Sequence, residues 1–463
     1  MSRRFIGLWL GLWLCACADP EDNQEETDAA VEPGGARNDA SAAPGSADGG
    51  SPATGSDAAQ SSDASGSGSS DAALGGDARG PGSSSDAGPS QDAGGSGDAA
   101  QPSTDAGPGP GPGPDAYKLD CGGSAVVLES AGPPKNRINY IIAGDGYTEA
   151  DLGTTYMQHL NEMLKWIHMP ALEPYTRYRK FINICALKVA SPMSGIGTTR
   201  GNSAFGGYGN DETRLGYIED AKVRDAMTRL LPKEIEVDWV AVVLNGNRWW
   251  NAGGRYMVWS GGHKDAGLAA MHEGGHSFQL LADEYGGNCT FSGDEARMRI
   301  NVTKDSTNTA GKWSKWLDFT QTPGTGKQGI FEGGQYCDKG AFRPSQESVM
   351  NMLWDSSYFN AISLEQAVRV IYKAVKPIDS STPTTVTAPG ELVVDVVDPA
   401  VVKLEWFVDD QKQAATGRSL DVPGLKLASG MHTVRARAYD DTPWVRGDRK
   451  ELEQSVSWTI QVP

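Results

Sequence analysis

The chain has 463 residues and a formal net charge of −18, long enough for two or three domains. Most of that charge is confined to one stretch: residues 19–116 hold 18 acids against two arginines, which leaves residues 117–463 near −4. A nearly neutral folded part carries no basic footprint, so nucleic acid is excluded as an expected partner.

Residues 1–17, MSRRFIGLWLGLWLCAC, place two arginines before a short apolar run and small residues before Cys17. The run is too short for a permanent membrane helix and reads as a lipoprotein-type signal. Cys17 is the expected lipidated residue and the only expected link to a membrane, while the unusual Cys15 leaves a plainly cleaved signal open. Residues 18–116 are Ala, Gly, Ser, Asp and Pro with no aromatic residue, hence a disordered tether spanning roughly 50–60 Å. The expected location is a bacterial outer membrane or cell surface, or otherwise the medium.

The next segment, 117–378, interleaves strands and helices. NRINYIIAGDGYT (136–148) predicts a strand stopped by a Gly-Asp-Gly turn, and 148–169 a single helix with a threonine cap. Strands follow at 179–190 and 237–245, the second apolar enough to be central, and the alternating 255–260 predicts an edge strand able to pair with an extended peptide. A helix over 264–285 completes an α/β layer with a mixed sheet. Residues 379–388 read as a hinge. Residues 389–463 then give short alternating runs between Gly, Pro and Asp turns, the pattern of a small all-β immunoglobulin-like sandwich with Trp406, Trp444 and Trp458 in its core or at its edges.

Within the last helix, MHEGGHSFQLLADEY (271–285) sets His272 and His276 one turn apart with Glu273 beside the first. Residues four apart share a helix face, so two imidazoles can reach one cation. Zinc favours such nitrogen donors, and an adjacent glutamate can take a proton from an attacking water. With six histidines in the whole chain, this spacing is hard to reach by accident.

A third ligand is needed. Asp283 has the right azimuth but lies about 10 Å beyond His276 on a continuous helix, so it serves only if the helix ends near Gln279 or Leu280 and the chain doubles back. Glu284 is the alternative. His159, His168 and His432 read as packed or exposed, and His263 as a candidate substrate contact. Four cysteines, Cys121, Cys185, Cys289 and Cys337, suggest two disulfides, with Cys289–Cys337 favoured because both flank the segment between the histidine helix and a later Met-containing turn.

The phrases IAGDGYTEADL, VVLNGN, MHEGGHSFQLLADEY, KWSKW and FEGGQYCDKGAFRPSQESVMNML resemble, in this order over about residues 120–375, the IgA-peptidase family of bacterial zinc metallopeptidases (metallopeptidase family 64). The resemblance implies an α/β, metzincin-like zinc endopeptidase domain acting on protein or peptide, with His272, His276 and Asp283 as metal ligands, Glu273 as base and one Zn2+. It also implies a Met-turn carrying Met350 or Met352. Two departures bear on the third ligand: Gln279 stands where a reversal-permitting glycine is usual in metzincins, and the acid falls one residue late. Within the family a glycine more often occupies the place of Leu280. Tyr285, Tyr336 and Tyr358 are the candidate oxyanion donors. The competing reading is an inactive surface module that grips protein or glycan.

Overall fold

Branched apolar runs whose two faces are both covered build the centre of the molecule. The computed structural model describes residues 117–169, 173–308, 311–351, 358–388 and 390–463. The signal segment with Cys17, the tether and Met352 lie outside the described residues.

Eight strands come first: β1 (Ala125–Glu129), β2 (Ile138–Asp145), β3 (Ile182–Leu187), β4 (Tyr208–Gly209), β5 (Gly216–Tyr217), β6 (Trp239–Leu244), β7 (Ala252–Gly253) and β8 (Met257–Ser260). All but β4 and β5 join one mixed sheet in the order β1-β3-β2-β6-β8-β7. The four inner strands are parallel, and β1 and β7 close the two ends antiparallel. β2, β3 and β6 read as near-continuous apolar runs because alternate residues enter different cores. Ile142, Ile184 and Val243 face one core, and Ile141, Cys185 and Val242 the other. The expected central strand is thus observed. The expected edge strand is corrected: 257–260 is flanked on its outer side by β7, so the terminal strand is Ala252–Gly253.

Among the described residues five helices cover the sheet or adjoin it: α1 (Glu149–Leu152), α2 (Thr155–Ile167), α3 (Asp220–Leu230), α4 (Ala266–Ser277) and α5 (Ala361–Ala374). The single helix expected over 148–169 is two, because the Thr148–Asp151 capping box starts a short turn that Gly153 ends. α2 then buries Tyr156, Leu160, Met163 and Ile167 on one face. α4 is buried from Ala266 to His276 and stops at Ser277, well short of the expected 285.

Further pairs lie beyond α4: β9 (Thr320–Gln321) with β10 (Gly326–Lys327), and β11 (Phe331–Gly334) with β12 (Cys337–Arg343). The C-terminal part forms two small antiparallel sheets from β13 (Ile378–Ser381), β14 (Glu391–Val396), β15 (Lys403–Val408), β16 (Gln411–Lys412), β17 (Ser419–Asp421), β18 (Gly430–Tyr439) and β19 (Glu453–Val462). Their orders are β13-β14-β17 and β16-β15-β18-β19, with Trp406 and Trp458 buried and stacked at 5.8 Å. Residues 378–381, where the hinge was expected to begin, are paired strand. There Asp379 accepts a two-pronged bond from the buried Arg137 guanidinium, 2.7 Å to each oxygen. Asp440 accepts single bonds from the Arg177 guanidinium and from the Tyr178 and Tyr372 hydroxyls, so the C-terminal sheets are fastened to the α/β layer by buried polar anchors. Disulfides join Cys121 to Cys185 and Cys289 to Cys337. The second is the favoured pairing, and two disulfides suggest an extracellular, oxidising environment. Among the described residues no helix is long and apolar enough to cross a membrane.

Candidate metal centre

α4 carries His272 and His276 on one face, 1% and 4% exposed. Their Nε2 atoms lie 3.1 Å apart. Each ring is oriented by its other nitrogen: His272 Nδ1 donates to Val349 O at 2.8 Å, and His276 Nδ1 to Leu281 O at 3.0 Å. A carbonyl can only accept, so Nδ1 carries the proton and the Nε2 lone pairs point at each other.

The chain reverses immediately after the helix. Leu280 takes a left-handed backbone with φ of 60° and stands 46% exposed, and Leu281 N–H reaches back to Gly275 O at 2.9 Å. A leucine there costs about 1–2 kcal/mol relative to ordinary backbone. Side chains hold the turn in place. Gln279, buried where a glycine was looked for, donates to Tyr175 Oη at 2.7 Å, and its carbonyl accepts from Gln366. Asn301 then clamps Ala282 by both N–H and C=O, at 2.9 and 2.8 Å.

This reversal brings Asp283 to the histidines. Its Oδ1 lies 3.0 Å from His272 Nε2 and 3.3 Å from His276 Nε2. Tyr336 Oη donates to the other oxygen at 2.5 Å, which turns Oδ1 inward. Tyr336 sits in a two-residue hairpin turn between β11 and β12, where Gln335 and Tyr336 both have positive φ (53° and 64°). The Cys289–Cys337 disulfide staples that turn to the segment following Asp283.

Glu284 points the other way. Fully buried, it accepts from Ser348 Oγ (2.5 Å), Asn301 Nδ2 (2.9 Å) and Asn360 Nδ2 (2.8 Å), and its N–H donates to Met350 O at 2.7 Å. Burial raises its carboxyl above the usual value, and these hydrogen bonds offset part of that rise. Asn360 also caps α5 by accepting from Ser363 N–H. One carboxylate therefore ties together the post-helix segment, the turn at Ser348–Met350 and the start of α5.

Glu273, 1% exposed, completes the group at the sheet edge. A Cβ on Gly253 would lie 2.8 Å from Glu273 Oε2 and 2.6 Å from His276 Cβ, so only glycine lets β7 come this close. Beneath α4, Met350 is buried, and a Cβ on Gly275 would lie 2.4 Å from its Sδ. Alanine in a helix interior normally gains up to about 1 kcal/mol over glycine. Here the overpacking cost of about 1–3 kcal/mol outweighs that gain. Gly275→Ala should therefore lower unfolding stability in a urea titration; a variant as stable as the parent would mean Met350 can swing aside.

The other sequence candidates fall elsewhere. His159 bonds Tyr147 Oη, His168 pairs with Glu129 and His432 with Asp409. His263 precedes the far end of α4, whose first residue, Ala266, already lies about 9 Å along the axis from His272. Of the tyrosines, Tyr336 binds Asp283, Tyr285 stacks edge-on against it at 5.3 Å, and Tyr358 accepts Val349 N–H through its carbonyl. Sequence reasoning missed Asn301, Ser348, Asn360 and Gly253, which act through contacts far apart in the chain.

The three donors suit a metal ion. Two imidazole lone pairs and a carboxylate oxygen 3.0–3.3 Å apart repel one another, and Asp283 Oδ1 has no hydrogen-bond partner. A tetrahedral ion with bonds of about 2.0–2.1 Å keeps its ligand atoms about 3.3 Å apart, the spacing seen here. His272, His276 and Asp283 are thus a buried group able to hold a metal.

Fold and site together define a mixed α/β protein with a buried His-His-Asp centre and a glutamate one residue from its first histidine. Residues 126–325 match the family model described as IgA Peptidase M64, the family that the quoted motifs resemble, and the match supports a peptidase. It contains β7, α4 and Asp283; Tyr336 and the Ser348–Met350 turn lie beyond it. Comparison with curated proteins finds no match.

Proposed function

We propose that this chain is an exported zinc endopeptidase with a metzincin-like domain over 117–378 and an immunoglobulin-like accessory domain over 389–463. In this reading His272, His276 and Asp283 hold one zinc, and Glu273 is the general base. Cys17 anchors the protein to a membrane surface, and the tether holds the catalytic body away from it. The observation that carries the reading is the convergence of three buried donor atoms after an unusual chain reversal, beside a buried glutamate and within a peptidase-family match.

Zinc in such a site supplies a Lewis acid that acidifies water and polarises a carbonyl. The chain's own residues do the rest. Glu273 accepts a proton from the attacking water and hands it to the departing amine. Val349 O and Leu281 O keep both imidazoles in the Nδ1–H form, and Tyr336 orients Asp283. The terminal strand β7 lies where an extended peptide can pair with its backbone, a mode that binds main chain without reading side chains. An inactive binding module is not favoured, because such a module has no need of a ligand set this closely arranged.

The test combines metal analysis with product mapping. Purified protein should carry about one zinc per chain, and mass spectrometry of a mixed peptide library should show internal cleavages that a chelator abolishes and added zinc restores. Cleavage indifferent to the chelator, or protein that takes up no zinc, refutes the reading.

A further inference from the structure

Asn251 is 2% exposed, and its Nδ2 is buried without a hydrogen-bond partner. Buried amides are almost always bonded, so a leftover donor at this depth calls for a physical account. Its position supplies one. Asn251 immediately precedes β7, and the two segments stay side by side past the paired residues, where Ser260 Oγ reaches Trp250 O at 3.5 Å.

Side chains two apart on an extended chain share a face. The Cβ direction of Gly253 runs into His276 and Glu273. The neighbouring strand agrees: Met257 and Trp259 pack in the core with α4, whereas Ala252 and Val258 pack in the opposite core. Asn251 therefore lies on the α4 face, roughly 7 Å along the chain from the point where β7 meets Glu273. Its backbone is fixed, with N–H donated to Arg214 O at 3.0 Å. The preceding Trp250 is buried and bonded through its indole to Asp211 at 2.9 Å. A rigidly held amide donor is thus left over at the terminal strand, two residues from the glycine that meets Glu273 and His276.

We propose that Asn251 is a substrate-binding residue: its Nδ2 donates to a main-chain carbonyl of a peptide lying along β7, close to the scissile bond. A backbone carbonyl is present in every peptide, so this contact holds the substrate without selecting its side chains. The proposal rests on the peptidase reading above.

The experiment compares zinc-loaded parent, Asn251→Ala and Asn251→Leu on one quenched-fluorescent peptide, with zinc content and thermal midpoint measured for each. Leucine keeps the volume and lacks the donor, which covers the case of a poorly folded alanine variant. The expected result is kcat/KM lowered by about 10- to 100-fold, mainly through KM, with zinc content kept and the midpoint unchanged or raised. Retention of the midpoint follows because the deleted N–H has no partner in the unliganded chain. A kcat/KM within threefold of the parent overturns the proposal, and so does loss of zinc or a lowered midpoint in both variants. A parent that binds zinc but cleaves no peptide overturns the peptidase reading itself, and this proposal falls with it.

Discussion

Glu273→Gln should bind as much zinc as the parent and hydrolyse peptides about 10²–10⁴-fold more slowly, the usual contribution of a positioned base. Glutamine matches the volume of glutamate, and the site leaves little room for anything else, with Gly253 pressed against the carboxylate and 1% exposure. Packing is therefore preserved while the ability to accept a proton is removed. The loss should appear in kcat with KM little changed, since the base acts in the transition state. Two outcomes count against the role. If the variant digests casein as fast as the parent, some other group takes the proton. If it loses zinc, Glu273 belongs to the ligand set and the His-His-Asp assignment is incomplete.

The shared face of His272 and His276 was legible because helical periodicity is local: four residues make about one turn whatever surrounds them. The approach of Asp283 was legible only as a condition, because its position depends on where the helix stops. Nothing near Gln279 advertises a stop, and the reversal passes through a leucine in left-handed backbone, held by Tyr175, Gln366 and Asn301 from distant parts of the chain. The central strand at 239–244 was equally plain, since both its faces are covered and its residues are apolar throughout. The edge strand was misplaced by one step. Alternation in 255–260 suggested a half-covered strand, but its strand residues 257–260 are buried throughout, and the two-residue β7 is too short to leave a periodic signal. Tyr336 was visible as a candidate without its role, which depends on a hairpin turn more than fifty residues from Asp283.

The choice between Asp283 and Glu284 has a clear physical signature, because adjacent carboxylates here do different work. Asp283 faces two imidazole nitrogens, so Asp283→Ala should weaken zinc binding by more than the roughly 10–100-fold typical of losing an outer partner, and peptide hydrolysis should fall with it. Tyr336→Phe removes only the hydroxyl that orients Asp283 and should land within that smaller range. Glu284→Gln should keep the metal and lose stability instead. Its two oxygens accept from Ser348, Asn301 and Asn360, and an amide in that place sets an N–H against existing donors. The mismatch should cost about 1–3 kcal/mol, read as a lower urea midpoint in the zinc-free protein. Competition with a zinc-binding dye measures affinity separately from folding. If Glu284→Gln loses zinc while Asp283→Ala retains it, the ligand assignment is inverted. If both lose it, the buried network around Glu284 is what holds Asp283 in place, and Ser348→Ala should then weaken zinc binding as well.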